Sequence, residues 1–194
     1  MWVEAGLGTR DKGLGARDKW LVASERRCEC GKAVWCGKAV WCGGVAVNSF
    51  SFFIEDAAKV GRSGKRVMAV VDGVSLAERV LAFEREQGWR TDTTVGGQYE
   101  ALILSCYGYA AMNEHFLGWG GTLGSWGKTT LLVCGCGIMT CWPLIARIKA
   151  DGETVEWSEF AQPHRPEWDY SGFGPFVFER KAYDEVLGEL MLQV

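Results

Sequence analysis

The feature that most constrains this chain is a two-residue turn signal set between two alternating runs. Leu144, Ala146 and Ile148 alternate with Ile145, Arg147 and Lys149, Asp151-Gly152 follows, and Val155 and Trp157 then alternate with Glu156 and Ser158. A period of two sends successive side chains to opposite faces of a strand, and Asp-Gly readily adopts the backbone of a tight hairpin turn. The spacing predicts an antiparallel hairpin with one apolar face. That face must be covered by other elements, so the rest of the chain has to supply strands or helices that pack on it.

The covering elements are legible. SFSFFIE at 49–55 and VMAVV at 67–71 read as strands around the polar turn GRSGKR at 61–66. An apolar segment at 99–104, the β-rich run Thr129 to Val133, and the pair Phe176 and Phe178 add further strand candidates. Ser75 with Glu78 three residues on forms a capping box, and Leu76, Val80 and Phe83 mark one helical face that runs to Gly88. A second helix starts near Arg180, with Tyr183, Val186, Leu187, Leu190 and Met191 on one stripe. The expected fold class is α+β, a mostly antiparallel sheet with two helices.

The first 47 residues differ from the rest. GLGTRDK at 6–12 recurs as GLGARDK at 13–19, and GKAVWC at 31–36 recurs unchanged at 37–42. Repeat folds need about three or more stacked units, and each motif here has two. Residues 1–47 are therefore expected to form a low-complexity, disordered tail ahead of a single α+β domain at 48–194. Cys30, Cys36 and Cys42 recur every six residues because the repeat does, which weakens any metal reading of that segment.

Charge and size limit the functional classes. The chain has 194 residues and a net charge of −3. Residues 1–47 carry +3, from eight Lys/Arg against five Asp/Glu, and the remainder carries −6. An acidic body disfavours nucleic acid, which needs a basic face, and fits a basic protein partner. No apolar run approaches the roughly 20 residues of a membrane span, and no cationic-then-apolar start signals export, so the expectation is a cytoplasmic protein without membrane association. The eight cysteines then read as reduced thiols rather than a disulfide framework.

Cys134, Cys136 and Cys141 fall within eight residues, with Gly135 and Gly137 allowing a tight turn. Zinc takes four sulfur or imidazole ligands, so His164 or Cys106 would have to complete the set. Small buried thiols beside a turn are the structural alternative. A nucleophilic Cys with His115 or His164 as its base has no local motif to support it.

GGTLGSWGKTTLL at 120–132 comes close to the phosphate loop of nucleoside triphosphatases. That loop needs Gly, four residues, then Gly-Lys-Ser/Thr. Counting back from Gly127-Lys128-Thr129 gives Thr122, with Gly121 one residue too far and Trp126 inserted where backbone amides would curl around a phosphate. Nucleotide hydrolysis through 121–129 is disfavoured.

QPHRPEWDY at 162–170 is the best site candidate. Its prolines fix the backbone around His164-Arg165 and keep the pair out of a helix or ladder. Arg165 suits a bidentate anion grip, Asp169 could orient His164 or pair with Arg165, and Tyr170 offers a hydroxyl. Trp142, Trp157 and Trp168 could wall a pocket. The structural alternative is an internal ion pair with aromatic packing that pins a long loop.

These residues resemble a group of uncharacterised bacterial proteins, frequent in actinomycetes, that share a Cys-Gly turn, Cys-Trp-Pro-Leu, Trp-x-x-Phe, Gln-Pro-His-Arg, Trp-Asp-Tyr and Gly-Pro-Phe-x-Phe. Here the matching positions are Cys134 to Gly137, Cys141 to Leu144, Trp157 to Phe160, Gln162 to Arg165, Trp168 to Tyr170 and Gly174 to Phe178. The resemblance implies no activity, and it places residues 1–47 outside the shared domain. The leading expectation is a small binding module that recognises an anionic ligand or a basic protein partner through His164, Arg165, Asp169, Tyr170 and Trp142. The alternatives are a zinc-stabilised domain built on Cys134, Cys136, Cys141 and His164, and an enzyme using His164 with Asp169.

Overall fold

The computed structural model describes residues 19–22, 40–42, 45–61, 63–89, 99–103, 112–119, 127–136 and 140–193. Twelve strands and three α-helices are described. The strands are β1 Lys19–Val22, β2 Val40–Cys42, β3 Val45–Val47, β4 Phe50–Asp56, β5 Lys65–Val71, β6 Val74–Ser75, β7 Tyr99–Glu100, β8 Leu102–Ile103, β9 Thr129–Cys134, β10 Leu144–Ala150, β11 Thr154–Ala161 and β12 Phe176–Glu179. The helices are α1 Leu76–Glu86, α2 Met112–Phe116 and α3 Arg180–Met191. The fold is α+β and mostly strand, and every recorded strand pairing is antiparallel. The short α2 carries none of the sequence signals that marked the other two helices.

One sheet runs β1-β4-β5-β6, with β8 also paired to β5, and the other runs β12-β11-β10-β9-β7. A separate hairpin joins β2 and β3. Strand β1 lies inside the segment read as a tail, and its four residues pair with Ser51 to Ile54 of β4. The repeats at 6–18 and 31–39, Cys106 and the Gly121–Trp126 stretch lie outside the described residues.

The core is mainly aromatic. Phe50 stacks on Tyr183 of α3 at 4.3 Å and meets Trp157 of β11 edge-on at 5.3 Å. Trp157 is fully buried and donates through Nε1 to the Tyr183 hydroxyl at 3.1 Å, which in turn donates to the Phe116 carbonyl at 2.8 Å. Both aromatic polar tips are thereby satisfied, so the rings can be buried without leaving an orphan donor. The predicted stripe of α3 is the buried one: Tyr183, Val186, Leu187 and Leu190 face inward.

Asn48 fastens the two sheets together. Its amide donates to the Val177 carbonyl at 2.6 Å, its Oδ1 accepts from the Val177 amide at 2.9 Å, and its Nδ2 donates to Asp72 at 2.8 Å. Val177 belongs to β12 of the second sheet, while Asp72 follows β5 of the first.

The predicted hairpin forms as β10 and β11, with Ala150 opposite Val155 and Lys149 opposite Glu156. Asp151 Oδ1 accepts from the amides of Glu153 and Thr154, closing the turn. The alternation then breaks. Ile145 pairs with Ala161 but Arg147 pairs with Ser158, so Glu159 and Phe160 stand opposite Ala146 alone. This is a β-bulge, and Glu159 within it takes a left-handed φ of 50°. Inward positions shift phase across it, from Val155 and Trp157 to Phe160 and Gln162. The bulge therefore turns the Glu159 carboxylate outward and aims the next loop across the sheet end.

Candidate functional site: the 162–175 loop, a thiol cluster and an acidic groove

The loop after β11 is built from two successive turns. The Arg165 amide donates to the Gln162 carbonyl at 2.9 Å and the Trp168 amide to the Arg165 carbonyl at 3.0 Å. Pro163 and Pro166 each occupy the second position of a turn, where a proline's fixed φ is most at home. The side chain of buried Gln162 accepts from the His164 amide at 2.8 Å and braces the first turn from inside. A sequence of two prolines three residues apart is thus a chain of two turns, with His164-Arg165 presented between them.

His164 is exposed, and its Nε2 lies 2.6 Å from the Thr140 carbonyl oxygen. A carbonyl can only accept, so Nε2 carries the proton in this contact. Arg165 is half-buried and lies over two indoles, 5.1 Å from the Trp142 ring centre and 5.9 Å from that of Trp168. Its Nη1 donates to the His164 carbonyl at 3.0 Å. Trp168 stacks in turn on Trp89 at 5.2 Å with the planes 16° apart. Trp142, read as a pocket wall, is buried beneath Arg165.

Asp169 and Tyr170 are drawn into other roles. The Asp169 carboxylate accepts from the Ser171 amide at 2.9 Å and caps the short 3-10 turn Tyr170–Gly172. That amide hydrogen bond holds its carboxyl below the usual range. Tyr170 is buried, and its hydroxyl donates to Glu84 Oε1 at 2.6 Å. The Tyr99 hydroxyl donates to the same oxygen at 2.7 Å. Burial pushes the Tyr170 phenol far above its ordinary value, with nearby Tyr99 and Glu84 adding to the effect, so it stays a donor. Glu84 was not a sequence candidate, yet it is 0% exposed. The signal was present: Leu76, Val80 and Glu84 repeat every four residues along the buried face of α1.

On one flank of the loop lie the thiols. The sulfurs of Cys134, Cys136 and Cys141 fall within 4.8 Å of one another, and His164 is not part of that group. Cys134 is buried at the end of β9, while Cys136 and Cys141 are exposed. The Cys136 amide points at Cys134 Sγ, 3.5 Å away. Burial, with the neighbouring Cys136 and Cys141 thiols, pushes the Cys134 thiol up to about 11, and that amide hydrogen bond works against the rise. Three sulfurs bound tetrahedrally to zinc at about 2.3 Å would sit roughly 3.8 Å apart, so the observed group needs only a small contraction to close on an ion.

On the other flank is a groove of about 710 Å³ between β11 and residues 166–175. Glu156, Glu159, Glu167, Asp169 and Lys128 line it with Phe160 and Phe173, and Lys128 is ion-paired with the Glu159 carboxylate at 3.4 Å. Lys128 donates to the Glu159 carbonyl at 2.6 Å, and Arg147 meets the Glu159 carboxylate at 2.6 Å. Hydrogen bonding by Arg147, more than by Lys128, holds the Glu159 carboxyl low. Strand β9 begins directly after Lys128, where a phosphate loop would open a helix.

No family model, curated protein or solved structure matches this chain. Among the described residues, no helix is long and apolar enough to cross a membrane.

Proposed function

We propose that this chain is a small zinc-binding domain in which Cys134, Cys136 and Cys141 supply three thiolates. The observation that carries the reading is the convergence of the three sulfurs to within 4.8 Å. Three neutral thiols gain little from such proximity. Three thiolates would repel one another unless a cation lay between them, and a thiophilic ion both deprotonates and joins them. Burial keeps the Cys134 thiol protonated on its own, opposed by the Cys136 amide aimed at its Sγ, so an ion would have to supply the rest of what the thiolate needs. Cys134, Cys136 and Cys141 form no disulfide, which suits a reducing compartment, and we place the protein in the cytoplasm. Elemental analysis of the full chain should give one zinc per molecule, lost in Cys134→Ser. A metal-free protein with three freely titrating thiols would reject the reading.

A second reading is favoured by the groove. With Glu159 already paired to Arg147 and Lys128, the carboxylates of Glu156, Glu167 and Asp169 beside aromatic walls suit the Lys or Arg side chains of a basic protein segment better than an anion. A Lys/Arg-rich peptide should quench Trp168 fluorescence with an affinity that falls as salt rises, and Glu156→Lys with Glu167→Lys should abolish the effect. Binding unchanged by that charge reversal would place the contact elsewhere.

A further inference from the structure

We propose that Cys136 and Cys141 form a reversible dithiol–disulfide couple that exchanges with small disulfides of the glutathione type and leaves Cys134 as a thiol. The couple stands on the geometry of the cluster alone. Its consequence, release of a bound ion, rests on the zinc reading, because a disulfide takes away two of the three thiolates that would hold the metal.

Placement comes first. Strands β9 and β10 pair antiparallel, with Leu132 opposite Leu144, so the chain leaving one and the chain entering the other are the two legs of a single connection. Cys136 lies two residues beyond the end of β9, and Cys141 three residues ahead of β10. Their sulfurs, with that of Cys134, fall within 4.8 Å of one another. Bonded sulfurs lie about 2.05 Å apart, so side-chain rotation has at most about 2.8 Å to close.

Exposure then selects the pair. Cys136 and Cys141 are exposed and Cys134 is buried, so a disulfide arriving from solution meets the first two. Exchange runs through the thiolate, and burial pushes the Cys134 thiol up to about 11, which keeps it protonated at neutral pH.

The steps balance. One exposed thiolate attacks a sulfur of oxidised glutathione; a mixed disulfide forms and one glutathione thiolate leaves. The second exposed thiol gives its proton to solvent and attacks the protein sulfur of the mixed disulfide, displacing the other glutathione. The protein dithiol is oxidised to a disulfide, and one glutathione disulfide is reduced to two thiols.

Trypsin cleaves after Lys128 and Arg147, and the peptide between them holds Cys134, Cys136 and Cys141 with no other cysteine. The full chain is equilibrated with oxidised and reduced glutathione and denatured, and its free thiols take a light alkylating label. After reduction the released thiols take a heavy one. As the oxidised share rises, mass spectrometry of that peptide should show the heavy label on Cys136 and Cys141 together and the light label on Cys134, with full reversal by dithiothreitol. Cys134→Ser should keep the couple, and Cys136→Ser should stop at a mixed disulfide on Cys141. On the zinc-loaded chain, a chromogenic chelator should register loss of the ion in step with heavy labelling. Heavy label on Cys134, a parent chain that stops at the mixed disulfide, or light label on all three in oxidised glutathione alone would overturn the couple. Zinc retained by a chain whose pair is fully oxidised would overturn its consequence. A chain that binds no zinc sinks the zinc reading, and the labelling still decides the couple.

Discussion

His164 Nε2 lies 2.6 Å from the carbonyl oxygen of Thr140, joining two loops that are 24 residues apart in the chain. One loop carries the prolines and Arg165, and the other carries Cys141. The contact makes the thiol cluster and the His-Arg turn parts of one surface, although either could have been read alone as a separate site.

The buried carboxylate of Glu84 leads to a stability prediction. Tyr170→Phe removes one of its two phenol donors without changing ring packing against Phe83 and Phe173. Denaturant unfolding should show a loss of about 1–3 kcal/mol, the cost of leaving a buried polar group short of a partner. Zinc content should not change. A variant as stable as the parent would mean that the Tyr170 hydroxyl contributes nothing net.

His115 makes the fold acid-sensitive. Burial lowers its pKa from 6.5 to about 4, opposed by a hydrogen bond to the Thr130 carbonyl. The folded value lies below the unfolded one, so the contribution to stability is complete above about pH 6.5 and is lost as pH falls through about 4. At about 1.4 kcal/mol per pKa unit, the shift corresponds to about 3 kcal/mol. Unfolding free energies measured at pH 7 and pH 4 should differ by clearly less in His115→Gln than in the parent. An equal acid slope in both proteins would assign the sensitivity to other groups.

Asn48 should matter more than the strand ahead of it. Asn48→Ala leaves the Val177 amide without its acceptor and takes a donor from Asp72. We expect a cost of about 1–3 kcal/mol by chemical denaturation. A chain beginning at Val45 loses β1 and β2 but keeps every Asn48 contact, and it should still unfold in one cooperative transition in calorimetry. Loss of that transition would show that residues before 45 are required for the domain.

Lys128 should not bind nucleotide. Its ammonium sits 2.6 Å from the Glu159 carbonyl, and a strand follows it. A ligand raises the melting temperature only by binding the native state, so millimolar ATP or GTP with magnesium should leave it unchanged. Dose-dependent stabilisation abolished by Lys128→Ala would restore the phosphate-loop reading.

Features decided within a few residues were legible in the sequence. The Asp151-Gly152 hairpin, the Ser75–Glu78 capping box and the buried stripe of α3 follow from side-chain period and local backbone preference, which act over one or two turns of chain. The paired prolines likewise announced a loop bound by turns at His164-Arg165. Tertiary structure decided what that loop faces. The bulge at Glu159 depends on pairing with β10, and it set which side chains after Trp157 point inward. Tyr170 could be read as a site hydroxyl until α1 brought Glu84 against it from 86 residues away. Asp169 could have paired with either neighbour, and its own turn claimed it. A buried polar group takes whichever partner packing brings within hydrogen-bonding distance, and that choice is made by contacts between distant segments rather than by sequence neighbours.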